Sequence, residues 1–285
     1  MEHFACLLCD SNSLKELVGY ERAFLVSCES CGFIFSRKIP TSQELEFHYQ
    51  NYRREYSISP LTQARYHDLL DKFEPLRKTN RLLDAGCGSG YFLEVALKRG
   101  WEVFGTEYTD DAVKICEGKN IRMQKGSNAQ VSFPDDYFDV ITSFEVLEHS
   151  NKPCKDIAAF EKWLRKGGVV YLTTPNFNAL TRYILKSKYN VIEYPEHLCY
   201  FTPKTLEFLF HKLKFKRLVM KTTGVSFSRF KNSSRISVNA SSGESDEKIR
   251  RAMEKGILGR VKSVANTLLK ITGTGDSLKA MFEKG

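Results

Sequence analysis

The 285-residue sequence lacks any continuous apolar stretch of the roughly 20 residues that a membrane-spanning helix requires. Its amino terminus, MEHFACLLCD, has neither the basic start nor the apolar core of a secretory signal peptide. We therefore expect a cytoplasmic protein. Its length predicts one large domain or a main domain with appendages. In a reducing compartment, the eight cysteines are not expected to form disulfides.

Acidic residues are scarce between residues 201 and 235, where nine Lys and Arg accompany the single acid Glu207. The whole chain carries a formal net charge of +9. A basic surface of this kind suits nucleic acid, a phosphorylated substrate or an anionic membrane. A solvated basic surface with no partner accounts for the same pattern.

Four of the cysteines form two Cys-x-x-Cys pairs within residues 1–40: Cys6, Cys9, Cys28 and Cys31. This spacing is typical of a four-thiolate zinc site, and the alternative is a chance pairing of free thiols. A segment of about forty residues cannot build a stable core alone. Metal ligation would therefore supply its folding free energy. Because all four ligands are protein sulfurs, the predicted zinc is structural. The stretch between the pairs, LVGYERAFLVS, alternates like a short hairpin.

From residue 81 onwards, short apolar runs alternate with helical stretches. RLLDA, WEVFGTE, FDVITSF and GVVYLTT have the pattern of strands, and YFLEVALKRG, TDDAVKICEGK and PCKDIAAFEKWLRKGG that of helices. This alternation predicts an α/β fold in which helices cover both faces of a parallel sheet. The ligand crevice of such a sheet lies at the carboxyl ends of its strands.

The first of these strands ends in a glycine-rich loop, LLDAGCGSGYF. Its glycines permit a tight turn and a close approach of the backbone to a ligand, and the loop alone is compatible with a dinucleotide site. Two features favour a different cofactor. The order is Asp84-x-Gly-x-Gly-x-Gly rather than Gly-x-Gly-x-x-Gly, and Glu107 ends the second strand, where its carboxylate can accept two ribose hydroxyls.

As a set, these motifs resemble the class I S-adenosylmethionine-dependent methyltransferases over roughly residues 60 to 285. The resemblance implies a seven-stranded Rossmann-like sheet in residues 76–285, with a helical insertion at about 225–275 between its last two strands, FKRLVMKTT and the antiparallel DSLKAMFEKG. It also implies S-adenosylmethionine as the cofactor. The residues predicted to border this cofactor are Asp84, Gly86, Cys87, Gly88, Gly90, Glu107, Ser127, Asn128 and Glu145.

Polar side chains follow the strand FDVITSF in the stretch FEVLEHS. If a helical turn begins there, Glu145, Glu148 and His149 lie on one face of it and project into the crevice. The stretch EYPEHLCYF, after the fifth strand, supplies Glu196 and His197 at the same edge of the sheet. The sequence therefore predicts that carboxylates and imidazoles from two segments converge.

Three interpretations of this cluster remain open. Glu145, Glu148, His149 and His197 resemble the Glu-x-x-Glu-His plus distant His pattern of small-RNA 2′-O-methyltransferases and ubiquinone-pathway O-methyltransferases. That resemblance implies a Mg²⁺ or Mn²⁺ ion that orients a substrate hydroxyl. Alternatively, His149 or His197 is a metal-free general base. In the third interpretation, Glu148 and His149 only cap neighbouring backbone.

The stretch YPEHLCYFTPKTLEFLF is similar to part of a group of bacterial sugar and cell-surface-glycan methyltransferases, some of which begin with a four-cysteine zinc domain. In the sugar C-methyltransferases, the residues matching Tyr194, Glu196 and His197 act at the substrate carbon. These resemblances imply O-methylation of a small-molecule hydroxyl, with a sugar or glycan precursor preferred. The alternatives are RNA methylation, sugar C-methylation and a non-catalytic binding module.

Two further segments carry predictions. Residues 41–75 are expected to form a linker and lid helix, whose tyrosines cover the cofactor or pack against the neighbouring domain. Within the insertion, apolar residues recur at helical spacing among Lys and Arg from residue 248 to 271. This amphipathic helix is expected either to dock on the enzyme's own core or to make peripheral contact with a membrane.

Overall fold

The computed structural model describes residues 1–50, 58–224, 267, 269 and 271–285. Over these residues the chain forms a seven-stranded sheet and a second sheet of four strands. Part of the predicted linker and nearly all of the amphipathic segment of the predicted insertion lie outside the described residues.

The strands of the described residues alternate with helices from residue 81 onwards, as the sequence predicts. In chain order the strands are β1 (Leu14–Glu16), β2 (Leu25–Cys28), β3 (Ile34–Ser36), β4 (Arg81–Ala85), β5 (Glu102–Glu107), β6 (Arg122–Lys125), β7 (Phe138–Phe144), β8 (Leu164–Pro175), β9 (Cys199–Tyr200), β10 (Phe215–Thr223) and β11 (Ser277–Lys284). The α-helices are α1 (Ser42–Gln50), α2 (Pro60–Phe73), α3 (Tyr91–Lys98), α4 (Asp110–Glu117), α5 (Pro153–Trp163), α6 (Leu180–Leu185) and α7 (Pro203–Lys212).

The large sheet has the strand order β10-β11-β8-β7-β4-β5-β6. Within this sheet, the five strands β4 to β8 run parallel to one another. Strand β11 is antiparallel to both β8 and β10. This confirms the predicted α/β fold class, including the antiparallel last strand. Because the strand order reverses between β4 and β7, the crevice opens at the carboxyl ends of these two strands.

Apolar side chains on both faces of the sheet are buried by helices, because each helix carries an apolar stripe at helical spacing. On one face, α2, α3 and α4 contribute to a core around Leu82, Val103 and Val140. On the other face, α5 and α7 contribute to a core around Leu83, Ile141 and Val170. Both faces are therefore covered, as the sequence predicts.

Two details of the sheet differ from the sequence prediction. Helix α5 ends at Trp163 and β8 starts at once, although the apolar pattern favours a helix through Gly168. Extended backbone lets Leu164 pair with Phe138 and lets the Arg165 guanidinium reach the buried carboxylate of Asp139 at 2.5 Å. Strand β6 is not predicted, because it is a mostly polar edge strand without an apolar run.

The small sheet has the order β1-β2-β3-β9. Strands β1 and β2 form an antiparallel hairpin between the two cysteine pairs, but β1 lies just before the stretch LVGYERAFLVS for which the hairpin is predicted. The fourth strand, β9, comes from the loop after β8, and the N–H of Ser36 also donates to the carbonyl of Leu198 at 2.8 Å. Residues 1–40 are thus joined directly to the segment that carries His197.

None of the helices in ranges 1–50, 58–224 and 271–285 combines the length and the apolar character that a bilayer span requires.

Candidate active site

The glycine loop follows β4 at the crevice. Gly86 has φ of +76°, in the left-handed region that favours glycine. The N–H groups of Gly86 and Cys87 both donate to the carbonyl of Thr106, at 3.0 Å each. A Cβ atom at Gly86 would lie 2.6 Å from Cγ2 of Val146, so the loop packs directly against the turn after β7. The predicted cofactor loop and the predicted catalytic turn are therefore in contact.

Glu107 ends β5 beside this loop. Its Oε2 accepts the N–H of Gly88 at 3.0 Å, and its Oε1 accepts the N–H of Tyr108 at 2.8 Å. Each carboxylate oxygen has a second lone pair. Glu107 can therefore fix the loop and still accept hydroxyl groups of a bound ribose.

Asp84 is buried between β4 and β7 rather than exposed in the crevice. The hydroxyl of Thr142 donates to its carboxylate at 2.7 Å. Burial raises the pKa of Asp84 to about 7, against the opposing effect of the Thr142 hydrogen bond and with a smaller contribution from the charge of Glu107. The geometry gives Asp84 a supporting position beneath the loop.

The other predicted cofactor residues border the loop from β5 and β6. The hydroxyl of Thr106 donates to Oδ1 of Asn128 at 3.2 Å, which ties Asn128 to the end of β5. Ser127 instead bonds through its hydroxyl to the side chain of Gln130 at 2.8 Å. The thiol of Cys87 lies 3.8 Å from that of Cys116 on α4. Of Ser127 and Asn128, the two predicted residues after β6, only Asn128 is joined to the glycine loop, through Thr106.

The chain reverses sharply at Glu145. The N–H of Glu145 still donates to the carbonyl of Thr173 on β8, at 2.9 Å, and its φ is +51°. A short 3₁₀ turn, Leu147–His149, begins only afterwards. The prediction that Glu145 shares one face of a helical turn with Glu148 and His149 is therefore wrong, because the reversal precedes the turn.

Glu148 points inward and is only 2% exposed. The hydroxyl of Thr174 donates to its Oε2 at 2.9 Å. Burial raises the pKa of Glu148 well above its ordinary value, and the adjacent Glu145 carboxylate, which also hydrogen-bonds to it, raises it further. A carboxyl group in this position favours either a proton or a bound cation.

His149 and His197 come together as predicted, with ring centroids 4.9 Å apart. Nδ1 of His149 lies 2.8 Å from the carbonyl oxygen of Glu196, and Nδ1 of His197 lies 2.7 Å from that of Val191. A carbonyl can only accept, so both Nδ1 atoms must carry the proton. In the neutral rings, the lone pair is therefore on Nε2, the atom that binds a metal or takes a proton.

Glu148, His149 and His197 each offer one ligand atom within 4.8 Å of the others. Glu145 is outside this group but contacts the Glu148 carboxyl. Two nitrogens and one oxygen form a donor set that suits Mn²⁺ better than Mg²⁺, because Mg²⁺ prefers oxygen ligands. Three of the four residues predicted for a divalent site thus converge directly.

The side chains of Tyr194, Glu196 and His197, predicted to form one cluster, instead contact different partners. The hydroxyl of Tyr194 lies 3.4 Å from Oε2 of Glu44, and Nζ of Lys38 lies 4.9 Å from the Tyr194 ring. The carboxylate of Glu196 instead lies 3.5 Å from Nε2 of His48 on α1. Sequence reasoning missed His48, because nothing in its local pattern connects it with a segment some 150 residues away.

The four cysteines predicted to bind zinc lie together at the end of the small sheet. Sγ of Cys6 is 3.5 Å from that of Cys31, and Sγ of Cys9 is 3.5 Å from that of Cys28. Zn–S bonds of about 2.3 Å place tetrahedral sulfurs about 3.8 Å apart, so the set fits a zinc ion. Burial opposes ionisation of Cys28, but N–H groups of Ser30 and Cys31 and the Cys9 thiol outweigh it and lower its pKa to about 7.

Residues 1–40, here called the cysteine module, contact the segment 191–198, here called the acceptor loop, at several points. Besides the pairing of β3 with β9, the guanidinium of Arg22 donates to the carbonyl of Ile192 at 2.7 Å. From the other side, the N–H of Leu198 donates to the carbonyl of Glu148 at 2.7 Å. The module thus holds the loop that carries His197 against the turn that carries His149.

The sheet order, the glycine loop and the acidic end of β5 together define a Rossmann-like methyltransferase fold. A family model described as a methyltransferase domain, Methyltransf_23, matches residues 51–218, more than half of the chain. The chain therefore belongs to this family of methyltransferase domains. This confirms the predicted enzyme class, a methyltransferase that uses S-adenosylmethionine.

Curated relatives agree with this class, and a solved structure shares the fold. The chain is 30% identical over 139 residues to a ubiquinone biosynthesis O-methyltransferase of Saccharophagus degradans, covering 40% of this chain and 58% of that protein. It is 28% identical over 138 residues to the corresponding protein of Thiobacillus denitrificans, covering 40% and 60%. It therefore spans less than two thirds of these relatives. A SAM-dependent methyltransferase structure from Archaeoglobus fulgidus shares the fold, with a TM-score of 0.54, 24% identity and coverage of 79% of this chain and 93% of that one.

Proposed function

We propose that this protein transfers the methyl group of S-adenosylmethionine to a hydroxyl group of a small molecule. The observation that carries the proposal is the pair of imidazoles, His149 and His197, whose Nδ1 atoms are both held by backbone carbonyls beside Glu148. The turn that carries His149 packs against the glycine loop through Val146. An acceptor hydroxyl between the two would lie beside the methyl donor.

The chain's own residues have to align the acceptor and manage one proton, because the sulfonium is already activated. Glu107 and the glycine loop would hold the donor, and Nε2 of His149 or His197 would receive the hydroxyl proton in a metal-free reaction. Glu148, His149 and His197 also fit a divalent cation, with Mn²⁺ favoured over Mg²⁺ by the donor atoms. When bound, such a cation lowers the pKa of a substrate hydroxyl and orients it.

Several sources support the choice of a hydroxyl acceptor. Two of the curated relatives are named ubiquinone biosynthesis O-methyltransferases. The imidazole and carboxylate donors also suit the activation of an oxygen nucleophile. The preference for a sugar or glycan precursor and the structural zinc ion at the four cysteines remain parts of the proposal. So does a cytoplasmic location. For residues 248–271, docking on the enzyme's own core and peripheral contact with a membrane both stay predictions.

Binding of S-adenosylhomocysteine, measured by calorimetry, tests the cofactor site. Wild-type protein should bind it, and Glu107→Ala should weaken the affinity about tenfold or more, because two ribose hydrogen bonds and a loop contact are lost. Glu117→Ala, at the exposed end of α4, is the matched control and should leave the affinity unchanged. Absence of binding to the wild-type protein would refute the proposal.

A further inference from the structure

Three sulfur atoms meet beside the glycine loop, outside the cluster of four cysteines. Sγ of Cys87, a residue of the loop itself, lies 3.8 Å from Sγ of Cys116 on α4. The same atom lies 3.9 Å from Sδ of Met123 on β6. Two thiols and one thioether are therefore brought together from three different elements of the fold.

Two glycines leave the room that these sulfurs occupy. A Cβ atom at Gly105 on β5 would lie 2.8 Å from Sγ of Cys87 and 2.6 Å from Sδ of Met123. A Cβ atom at Gly90 would lie 2.7 Å from Sγ of Cys116. All three distances are shorter than a van der Waals contact, so any side chain at residue 90 or 105 would displace the sulfurs.

The spacing of the sulfurs fits a three-coordinate metal ion. Metal–sulfur bonds of about 2.3 Å place the three sulfurs of a trigonal site about 4.0 Å apart. The two measured separations from Sγ of Cys87, 3.8 and 3.9 Å, are close to this value. Cys87 is therefore already at the separation that such a site needs from each of the other two ligands.

The donor atoms select a soft ion. Thiolate and thioether sulfurs favour Cu(I), whereas Mg²⁺ and Ca²⁺ require oxygen donors. Structural zinc takes four ligands, which the cluster of four cysteines offers. Among the described residues, no further Cys, His, Asp or Glu completes a cluster of three with Cys87 and Cys116. The third donor is therefore the thioether of Met123.

The burial of the three residues is also compatible with a metal site. Cys116 is fully buried, while Cys87 and Met123 are partly exposed, so the group is not sealed from solvent. The thiol of Cys116 donates to the carbonyl of Gly88 at 3.3 Å. A metal ion that binds here would take the place of the thiol protons, because thiolates rather than thiols are metal ligands.

We propose that Cys87, Cys116 and Met123 form a binding site for Cu(I), here called the three-sulfur site. It shares no residue with the four cysteines expected to hold zinc. Its occupant would join the glycine loop to α4 and β6, beside the predicted cofactor. The inference concerns metal binding alone and does not depend on the group that accepts the methyl.

Anaerobic titration of the full chain with Cu(I), in competition with the chelator bathocuproine disulfonate, tests the site. The wild type should retain about one more Cu(I) per chain than Cys116→Ser, whose hydroxyl can keep the hydrogen bond to Gly88 but is a hard ligand. Met123→Leu should weaken this extra binding about tenfold, because the thioether is lost. Cys154→Ser and Met220→Leu replace partly exposed residues outside the site, so both controls should bind like the wild type.

Nuclear magnetic resonance of isotope-labelled methionine methyl groups reports on the thioether itself. Cu(I) should shift the Met123 signal, which is identified by its absence in Met123→Leu, and should not shift it in Cys116→Ser. Equal Cu(I) uptake by the wild type and a folded Cys116→Ser protein would refute the three-sulfur site. So would a Met123 signal that Cu(I) leaves unmoved in the wild type. An equal loss of Cu(I) in Cys154→Ser would refute it as well, since it would show that Cu(I) binds thiols in general.

Discussion

The N–H of Leu198 donates to the backbone carbonyl of Glu148 at 2.7 Å, and this bond joins the acceptor loop to the catalytic turn. On its other side, the loop pairs with β3 of the cysteine module. The position of His197 therefore depends on a hairpin whose ends are held by four thiols. The following predictions test how these parts depend on one another.

Loss of the zinc site should lower methyl transfer more than cofactor binding. Cys31→Ser removes one thiolate, so zinc content by elemental analysis should fall from about one ion per chain. Because β3 then no longer holds β9, the rate should fall about tenfold or more, while the affinity for S-adenosylhomocysteine is kept. Cys154→Ser is the control, since its hydroxyl can still donate to the carbonyl of Leu7 as the thiol does. Full activity of a zinc-free Cys31→Ser protein would contradict the coupling.

Removal of either imidazole should affect turnover rather than donor binding. His149→Gln and His197→Gln should each lower kcat by about 100-fold or more, the contribution of a positioned base or metal ligand. The affinity for S-adenosylhomocysteine should not change. His211→Gln, at the exposed end of α7, should behave like the wild type. Unchanged kcat in both His149→Gln and His197→Gln would leave only a structural role for the pair.

The contact between the glycine loop and the catalytic turn can be tested by steric substitution. Gly86→Ala places a methyl group 2.6 Å from Cγ2 of Val146 and strains a residue with φ of +76°. We expect S-adenosylhomocysteine affinity to fall about tenfold or more. The double variant Gly86→Ala and Val146→Ala should recover part of the loss, because it removes the clash but not the backbone strain. No recovery at all would mean that the two segments are independent.

The stability of the fold should depend on pH through Asp84. Its pKa in the folded protein is raised to about 7, above the value of about 3.9 in an unfolded chain. The folded state then binds more protons between these values, so the contribution to stability is complete below about pH 4 and is lost as pH rises through 7. Asp84→Asn removes this dependence. Urea unfolding at pH 5 and pH 7.5 should show a smaller loss of stability on raising the pH in Asp84→Asn than in the wild type. Parallel changes in both proteins would contradict the raised pKa.

The divalent site predicts a distinct response to metals. Mn²⁺ titration followed by electron paramagnetic resonance should show one site in the wild type and a site weakened about tenfold or more in Glu148→Gln. Mild chelation should abolish activity, and Mn²⁺ should restore it while the thiolate-bound zinc stays in place. Activity indifferent to the chelator would leave a histidine as the base.

The sequence predicted those parts of the site that have strong local signals. The glycine loop and Glu107 follow apolar strand patterns, and His149 and His197 were expected to meet because both lie at the carboxyl edge of one sheet. By contrast, β9 has two residues and no periodic pattern, so its pairing with the cysteine module depends on tertiary contacts alone. The reversal at Glu145 depends on strand register, which single-sequence patterns do not specify.

A crystal structure of the protein with S-adenosylhomocysteine and Mn²⁺ is the most direct test of the proposed chemistry. We expect both ribose hydroxyls on the carboxylate of Glu107, and the sulfur facing the space beside the Nε2 atoms of His149 and His197. A cofactor bound elsewhere, or a sulfur separated from the two imidazoles by ordered protein, would contradict methyl transfer at this site.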